Sequence, residues 1–194
     1  MVTIAIDCDD VLTETVPSLI EHVKVTYSRH RVYDDIHDYM LSNNAHMSIT
    51  HEEAVEAFAT YFESHYAKES AHVDGAYEKL MQRKKAWHHM IVVTARNEQT
   101  IDITNHQLGK HYPGIFDWVV YASHHTDKHV SKSELCSKIW ADYLIDDNMN
   151  YALEVAACGM KAYVLERPWN RHRKEEHPNI TRVKHRSEIV IPQP

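Results

Sequence analysis

Three carboxylates fall within four positions at Asp7-Cys8-Asp9-Asp10, directly after the apolar run Val2 to Ile6. A second pair, Asp146-Asp147, follows Tyr143-Leu144-Ile145 in the same way. Packing negative charge at a buried edge is costly unless a cation offsets it. Two neighbouring strand ends loaded like this make a hard, oxygen-rich cage suited to Mg2+. The run Met90 to Val93 ends in Thr94-Ala95-Arg96, a hydroxyl and a guanidinium at the same kind of edge, and Lys132 opens the helical stretch before the Tyr143 run. These parts fit one chemistry. A carboxylate attacks phosphorus only where metal and lysine neutralise the phosphate and donors hold its oxygens. Asp7 is then the attacking group, becoming an aspartyl phosphate. Asp9 is the acid that protonates the departing alkoxide and afterwards takes a proton from water.

Such residues need a scaffold that delivers strand ends to one place. Short β-branched runs at Val2 to Ile6, Met90 to Val93, Trp118 to Tyr121, Tyr143 to Ile145 and Ala162 to Leu165 read as buried parallel strands. Helical patterns over roughly residues 98–111, 132–141 and 149–158 alternate with the later strands, as in a doubly wound, Rossmann-like α/β sheet. In an open sheet of this class, side chains just past the carboxyl ends of the strands line the ligand crevice. The first crossover is long: about eighty residues separate the first two strands, far more than one connecting helix needs. Val16, Leu19, Ile20, Val23 and Tyr27 recur at helical spacing, as do Ala54, Ala57, Phe58, Tyr61 and Phe62 in the run 51–66, which opens with the capping-box pattern Thr50-His51-Glu52-Glu53. A small helical module is thus inserted after the first strand, spanning 15–74, with 1–14 and 75–194 forming the catalytic core. A further helix, 75–87, leads back to the sheet. The tail from Arg167 reads as partly irregular, with one strand-like run at Glu188 to Ile191.

Composition excludes several classes. With 21 Lys+Arg against 28 Asp+Glu, the net charge of −7 supplies no basic face for a nucleic-acid polymer, so any polyanion partner must be small or locally held, which a small phosphorylated substrate satisfies. Cys8, Cys136 and Cys158 are few and far apart, which fits free thiols in a reducing compartment, the cytoplasm by default. No stretch approaches the roughly 20 apolar residues of a membrane span, and no export signal is read at the N-terminus. A homodimer stays open.

Asp7-x-Asp9, Thr94, Lys132 and Asp146-Asp147, in this order and context, resemble the four motifs of the haloacid dehalogenase superfamily over most of the chain. The resemblance implies that Asp7 is nucleophile and metal ligand, and that Asp9 is acid/base and a ligand through its carbonyl. It makes Thr94 and Lys132 phosphate holders, with Ala95 and Arg96 beside them, and Asp146 or Asp147 the remaining Mg2+ ligand. The helical module is placed like that superfamily's C1 cap. A carboxylate at position 9, which the dehalogenases lack, favours a phosphatase. Asp10 departs from the common glycine and suggests a subgroup. Within the superfamily, Asp7 to Leu12, Val73-Asp74-Gly75-Ala76-Tyr77, Thr94-Ala95-Arg96 and Arg167-Pro168-Trp169-Asn170-Arg171 are similar to the 5′(3′)-deoxyribonucleotidases and their bacterial and phage relatives. The implied activity is a Mg2+-dependent 5′-nucleotidase. A phosphatase of sugar phosphates or other small phosphomonoesters is the alternative, and a catalytically inactive phosphate-binding or regulatory module is a third reading.

Other assignments compete for some of these residues. Lys128 and Lys138 rival Lys132, and Arg96 either touches substrate phosphate or pairs with Glu98. Adjacent histidines such as His88-His89 and His124-His125 point apart rather than toward one zinc. Cys8 should face away from Asp7 and Asp9, into the packing. Tyr27, Tyr33, Tyr39, Phe58, Tyr61 and Phe62 include one or two candidates to stack a nucleobase, the rest being core of the inserted module. Trp169 and Asn170 stand as exposed candidates for a substrate contact.

Overall fold

The structure, a computed structural model, describes residues 1–28, 32–44, 49–123, 127 and 129–192, the Tyr27 side chain excepted. Lys128 and the pair His124-His125 lie outside the described residues. Six strands form one parallel sheet in the order β3-β2-β1-β4-β5-β6. They are β1 Thr3–Ile6, β2 His89–Thr94, β3 Trp118–Tyr121, β4 Tyr143–Asp146, β5 Lys161–Leu165 and β6 Ile180–Val183. The fold is the doubly wound α/β class expected from the alternating pattern.

Successive residues of a strand face opposite sides, and β1 uses both. Ile4 and Ile6 join Leu80 of α4 (Ala76–Lys85), Leu108 of α5 (Ile101–His111) and Tyr112 just past its end on one face. Ala5 joins Leu135 and Cys136 of α6 (Lys132–Lys138) and Ala152 and Val155 of α7 (Met149–Ala157) on the other. Two departures from the sequence reading follow from position in the sheet. Trp118–Tyr121 is not a buried strand but an edge, half-exposed because only β2 flanks it. In the tail, the strand is Ile180–Val183, which pairs with β5 from Ala162↔Ile180 onward. Glu188 to Ile191 is not a strand. Arg186–Glu188 forms a 3-10 turn closed reciprocally by His185 and Glu188, and delivers Ile189 into the core, where its carbonyl accepts from Arg83 Nη2 at 3.3 Å.

The long first crossover holds α1 (Thr15–Tyr27), α2 (His51–Glu63) and α3 (His65–Glu69). The run expected over 51–66 breaks at Ser64, whose backbone is extended. Thr50 caps α2 as the pattern implied: Glu53 N donates to Thr50 Oγ1 at 3.2 Å and Thr50 N to Glu53 Oε2 at 2.9 Å. These helices share a separate core of Leu19, Ile20, Val23, Ala57 and Tyr61, into which Trp169 projects from the segment after β5. The chain enters and leaves the insert along paired segments, with Glu14 N donating to Ala71 O at 2.8 Å and Val73 N to Leu12 O at 2.9 Å. Gln107 of α5 ties the insert down by donating to Ala67 O at 2.7 Å. Among the described residues, no helix is long and apolar enough to cross a membrane.

From β1 the chain proceeds to β2 and β3 on one side and to β4, β5 and β6 on the other. A crevice opens beyond the strand ends where the order reverses, between β1 and β4.

Candidate active site

Asp7 sits at that reversal. Its N–H donates to Ile145 O at 2.9 Å, extending the β1–β4 ladder by one step and fixing Asp7 beside Asp146, the last residue of β4. Cys8 alternates to the opposite face and is fully buried with Ile4 and Ile6, where burial pushes its thiol up to about 12. It is a packing residue, with no exposed thiolate to offer. Leu12 N and Thr13 N then both donate to Cys8 O, at 2.8 and 3.0 Å, and bend the chain sharply.

Asp10 occupies this bend with φ +55°, a left-handed conformation that asparagine, aspartate and glycine adopt most readily. Its carboxylate accepts from Val16 N at 3.1 and 3.2 Å, satisfying a free donor at the start of α1. Arg167 clamps the bend from outside, donating to Asp10 O from Nε at 3.0 Å and Nη2 at 2.6 Å. The departure from glycine therefore adds a helix cap while keeping the backbone shape.

Lys132, buried at the first turn of α6, aims its ammonium at the carboxylates: Nζ lies 2.5 Å from Asp7 Oδ1 and 2.7 Å from Asp146 Oδ2. The Tyr151 ring lies under the same ammonium, 4.6 Å away. Burial alone would lower the lysine, but Asp146 and Asp7 outweigh it and raise it well above the usual range. Asp146 Oδ1 accepts from Asn148 N at 2.8 Å. Asp147 Oδ2 accepts from Trp169 Nε1 at 2.7 Å, and Asn170 Nδ2 bridges Asp147 O and Leu165 O at 2.7 and 2.8 Å. Trp169 and Asn170 are thus buried supports of the second carboxylate pair rather than exposed contacts. They follow β5, so the strand-end rule that singled out Asp7 and Asp146 also reaches them.

Carboxylate oxygens of Asp7, Asp146 and Asp147 all lie within 4.8 Å of one another. One ammonium does not balance three buried carboxylates. Burial first, then repulsion from Asp146, lifts Asp7 to about 7 against the pull of Lys132, and the same two causes hold Asp147 well above its ordinary value. An all-oxygen set with excess negative charge fits Mg2+.

Asp9 lies on the same side but is engaged elsewhere. Arg96 grips its carboxylate through Nε at 3.2 and 3.0 Å and Nη2 at 2.7 Å, and Thr15 Oγ1 donates to it at 2.6 Å. Burial works to raise Asp9, yet Arg96 and these hydrogen bonds keep it below the usual carboxylate range. Arg96 also donates through Nη1 to Thr104 Oγ1 and Gln107 Oε1, both at 2.8 Å, and lies over the Phe62 ring of α2 at 4.7 Å. Its donors are therefore committed to protein acceptors, not held out toward a phosphate. Thr94 ends β2, fully buried, and its Oγ1 accepts from Arg96 N at 3.2 Å. Ala95 packs against the α6–α7 core. Lys138, the rival lysine among the described residues, pairs on the surface with Glu134.

Next to Asp147 a cavity of about 390 Å³ opens between the insert and α7, lined by Tyr39, Asn43, Asn148, Tyr151 and Arg173 among others. Tyr39 meets Tyr151 edge to face at 6.3 Å.

No family profile and no curated protein sequence matches this chain. Solved structures do resemble it. A hydrolase of the haloacid dehalogenase-like family from Streptococcus pneumoniae superposes with a TM-score of 0.65 at 12% identity, covering 86% of this chain and 85% of that one. A predicted phosphoglycolate phosphatase from Haemophilus somnus gives 0.62 at 14% identity over 92% of each chain. CbbY from Rhodobacter sphaeroides, in complex with phosphate, gives 0.62 at 16% identity over 94% and 93%. At these identities the likeness is one of fold.

Proposed function

We propose that this chain is a Mg2+-dependent phosphomonoester hydrolase in which Asp7 is the nucleophile. The observation that carries the reading is Lys132 Nζ, held between Asp7 and Asp146 inside a buried carboxylate cluster at the point where strand order reverses. The names of the superposed hydrolases and phosphatases agree with it. Asp7, Asp146 and Asp147 would hold Mg2+, which would supply neutralising charge to the phosphate oxygens. Lys132 adds a second positive charge and orients Asp7, while Trp169 and Asn170 hold Asp147 in place.

In this reading, an Asp7 oxygen attacks phosphorus, the ester P–O bond breaks, and the leaving oxygen takes a proton from Asp9. Water then attacks the aspartyl phosphate, Asp9 takes its proton, and phosphate departs with Asp7 restored. Asp9, ionised while Arg96 grips it, must part from Arg96 and take up a proton from solvent before the first step, and the proton it gains from water in the second step readies it for the next cycle. Because Phe62 of α2 covers Arg96, movement of the insert bears directly on that separation.

For the substrate we favour a small sugar or short organic-acid phosphate over a nucleotide. Aromatics considered for base stacking are largely spent within the protein. Tyr61 is fully buried, Phe58 and Phe62 pack in the insert core, and Tyr33 abuts Trp169 edge to face at 5.8 Å. Hydrolysis of an aryl phosphate should require Mg2+ and vanish in Asp7→Asn; activity surviving both EDTA and this substitution defeats the mechanism. In a panel, sugar and short-acid phosphates should outrun nucleoside monophosphates. The opposite order restores the nucleotidase reading, and Mg2+-dependent phosphate binding without turnover of any ester restores the inactive-module reading.

A further inference from the structure

Among the described residues, three helices end in the same six-residue hydrogen-bond pattern. In α7, Gly159 N donates to Ala156 O at 3.0 Å and Met160 N to Val155 O at 3.1 Å, with Gly159 at φ +86°. In α4, Trp87 N donates to Lys84 O at 3.0 Å and His88 N to Arg83 O at 3.3 Å; in α6, Trp140 N donates to Ser137 O at 3.1 Å and Ala141 N to Cys136 O at 2.9 Å. The left-handed position of this motif is ordinarily glycine, because a Cβ is strained there. α7 obeys that rule. Trp87 and Trp140 break it, at φ +61° and +55°, and do so with indoles that are 80% and 85% exposed. Neither gains from local packing what its backbone conformation costs.

Both tryptophans lie on one edge. Trp87 lies two residues before β2 and Trp140 precedes β4, while Trp118, 65% exposed, opens β3 and Met1, 72% exposed, precedes β1. All four strands are neighbours in the sheet, so these residues share its amino-terminal end, opposite the carboxylates. Polar links stitch them together. Asp117 takes Lys84 Nζ at 2.5 Å and lies 3.8 Å from His89 Nδ1; Val2 N donates to His88 Nδ1 at 3.3 Å, and Thr3 N to Asp142 Oδ2 at 2.8 Å.

We infer that this tryptophan-bearing edge is the interface at which a second copy of the chain docks, across a two-fold axis. Area argues for it: at about 200–250 Å² per whole indole, the three tryptophans and Met1 present together about 600–700 Å². That exposed area approaches the roughly 800 Å² per partner of a standard interface. The polar groups among the indoles carry no net sign that would select a charged partner: Lys84 and Asp117 pair with each other, and Asp142 accepts from Thr3 N. A membrane surface would call for a basic rim, and the chain carries −7. Docking here leaves the carboxylate crevice and the insert of both copies open.

The test is sedimentation equilibrium of the full chain, with Trp87→Gly, Trp140→Gly and the double variant. Glycine suits both backbone positions, so these variants should keep the native circular dichroism and melt no lower than the parent as monomers. The parent should sediment at twice 22.7 kDa in the micromolar range. Each single variant should weaken association at least about tenfold, and the double variant should run as a monomer. Tryptophan emission of the parent should shift red on dilution, since only Trp169 is buried in the single chain. A parent monomeric at 100 µM or so, whether or not it floats with anionic vesicles, overturns the proposal. So does a folded double variant that dimerises as tightly as the parent.

Discussion

Asp10 shows how one residue carries two local tasks at the rim of the site. Its backbone needs a left-handed conformation and its carboxylate caps α1 through Val16 N. Asparagine retains both features, glycine only the first, and alanine neither. Thermal stability should therefore fall in the order Asp10→Asn, Asp10→Gly, Asp10→Ala. The alanine variant should lose about 2 kcal/mol, roughly half from the cap and half from backbone strain. An alanine variant melting with the parent removes this account. At this scale the sequence was legible wherever chemistry sits next to a strand end, as at Asp7, Thr94 and Asp146-Asp147. Arg96 and Trp169 were not legible in the same sense. Their positions past β2 and β5 could be read, but the carboxylates they grip belong to other strand ends, 87 and 22 residues away in sequence, and nothing local announces the pairing.

Among elements, the closing segment diverged most from its pattern. Glu188 to Ile191 has the apolar content of a strand, yet the sheet's edge is taken by Ile180–Val183, and the later residues instead plug the core beside α4. Tyr163 OH bonding Val190 O pins that segment across β5. Choosing between two short apolar runs depends on which one reaches β5 in register, a tertiary matter that periodicity does not encode. The 3-10 turn before Ile189 also buries Arg186, whose Nε, Nη1 and Nη2 find no acceptor among the described residues. Burial lowers this guanidinium to about 10. A buried donor without a partner costs about 1–3 kcal/mol, so Arg186→Leu should leave stability unchanged or raise it by up to about that amount. Denaturant unfolding decides the matter, and a clear loss would mean the guanidinium is serving a contact of its own.

On the scale of the whole molecule, the alternating half of the chain announced the doubly wound sheet, and the long first crossover announced the helical insert. The contrast between the two ends of the sheet was invisible, because the exposed tryptophans lie far apart in sequence and converge only through strand order. Acid sensitivity also belongs to this scale. His22 in the insert, His111 against Ser70 and His88 under β2 are all lowered by burial first. The unfolded chain then binds more protons than the folded one once the pH drops below the free imidazole value of about 6.5. Their contribution to stability is complete above that pH and is lost progressively below it, toward the depressed folded values. Melting temperatures should fall on acidification from pH 7 to 5, by less in a variant with His22 and His88 replaced by glutamine. Equal losses in both proteins would assign the effect to other groups.

Strand order has one more consequence, for the chain as it leaves the ribosome. β1 is made before the other strands, but its partner β4 arrives only after the insert, β2 and β3 have emerged. Until then the Ile4–Ile6 backbone keeps one edge unpaired, and Asp7 has neither Ile145 O to anchor it nor Lys132 to balance it. Nascent chains halted before β4 should therefore be aggregation-prone and chaperone-dependent, and maturation of the site coincides with closure of the sheet's centre.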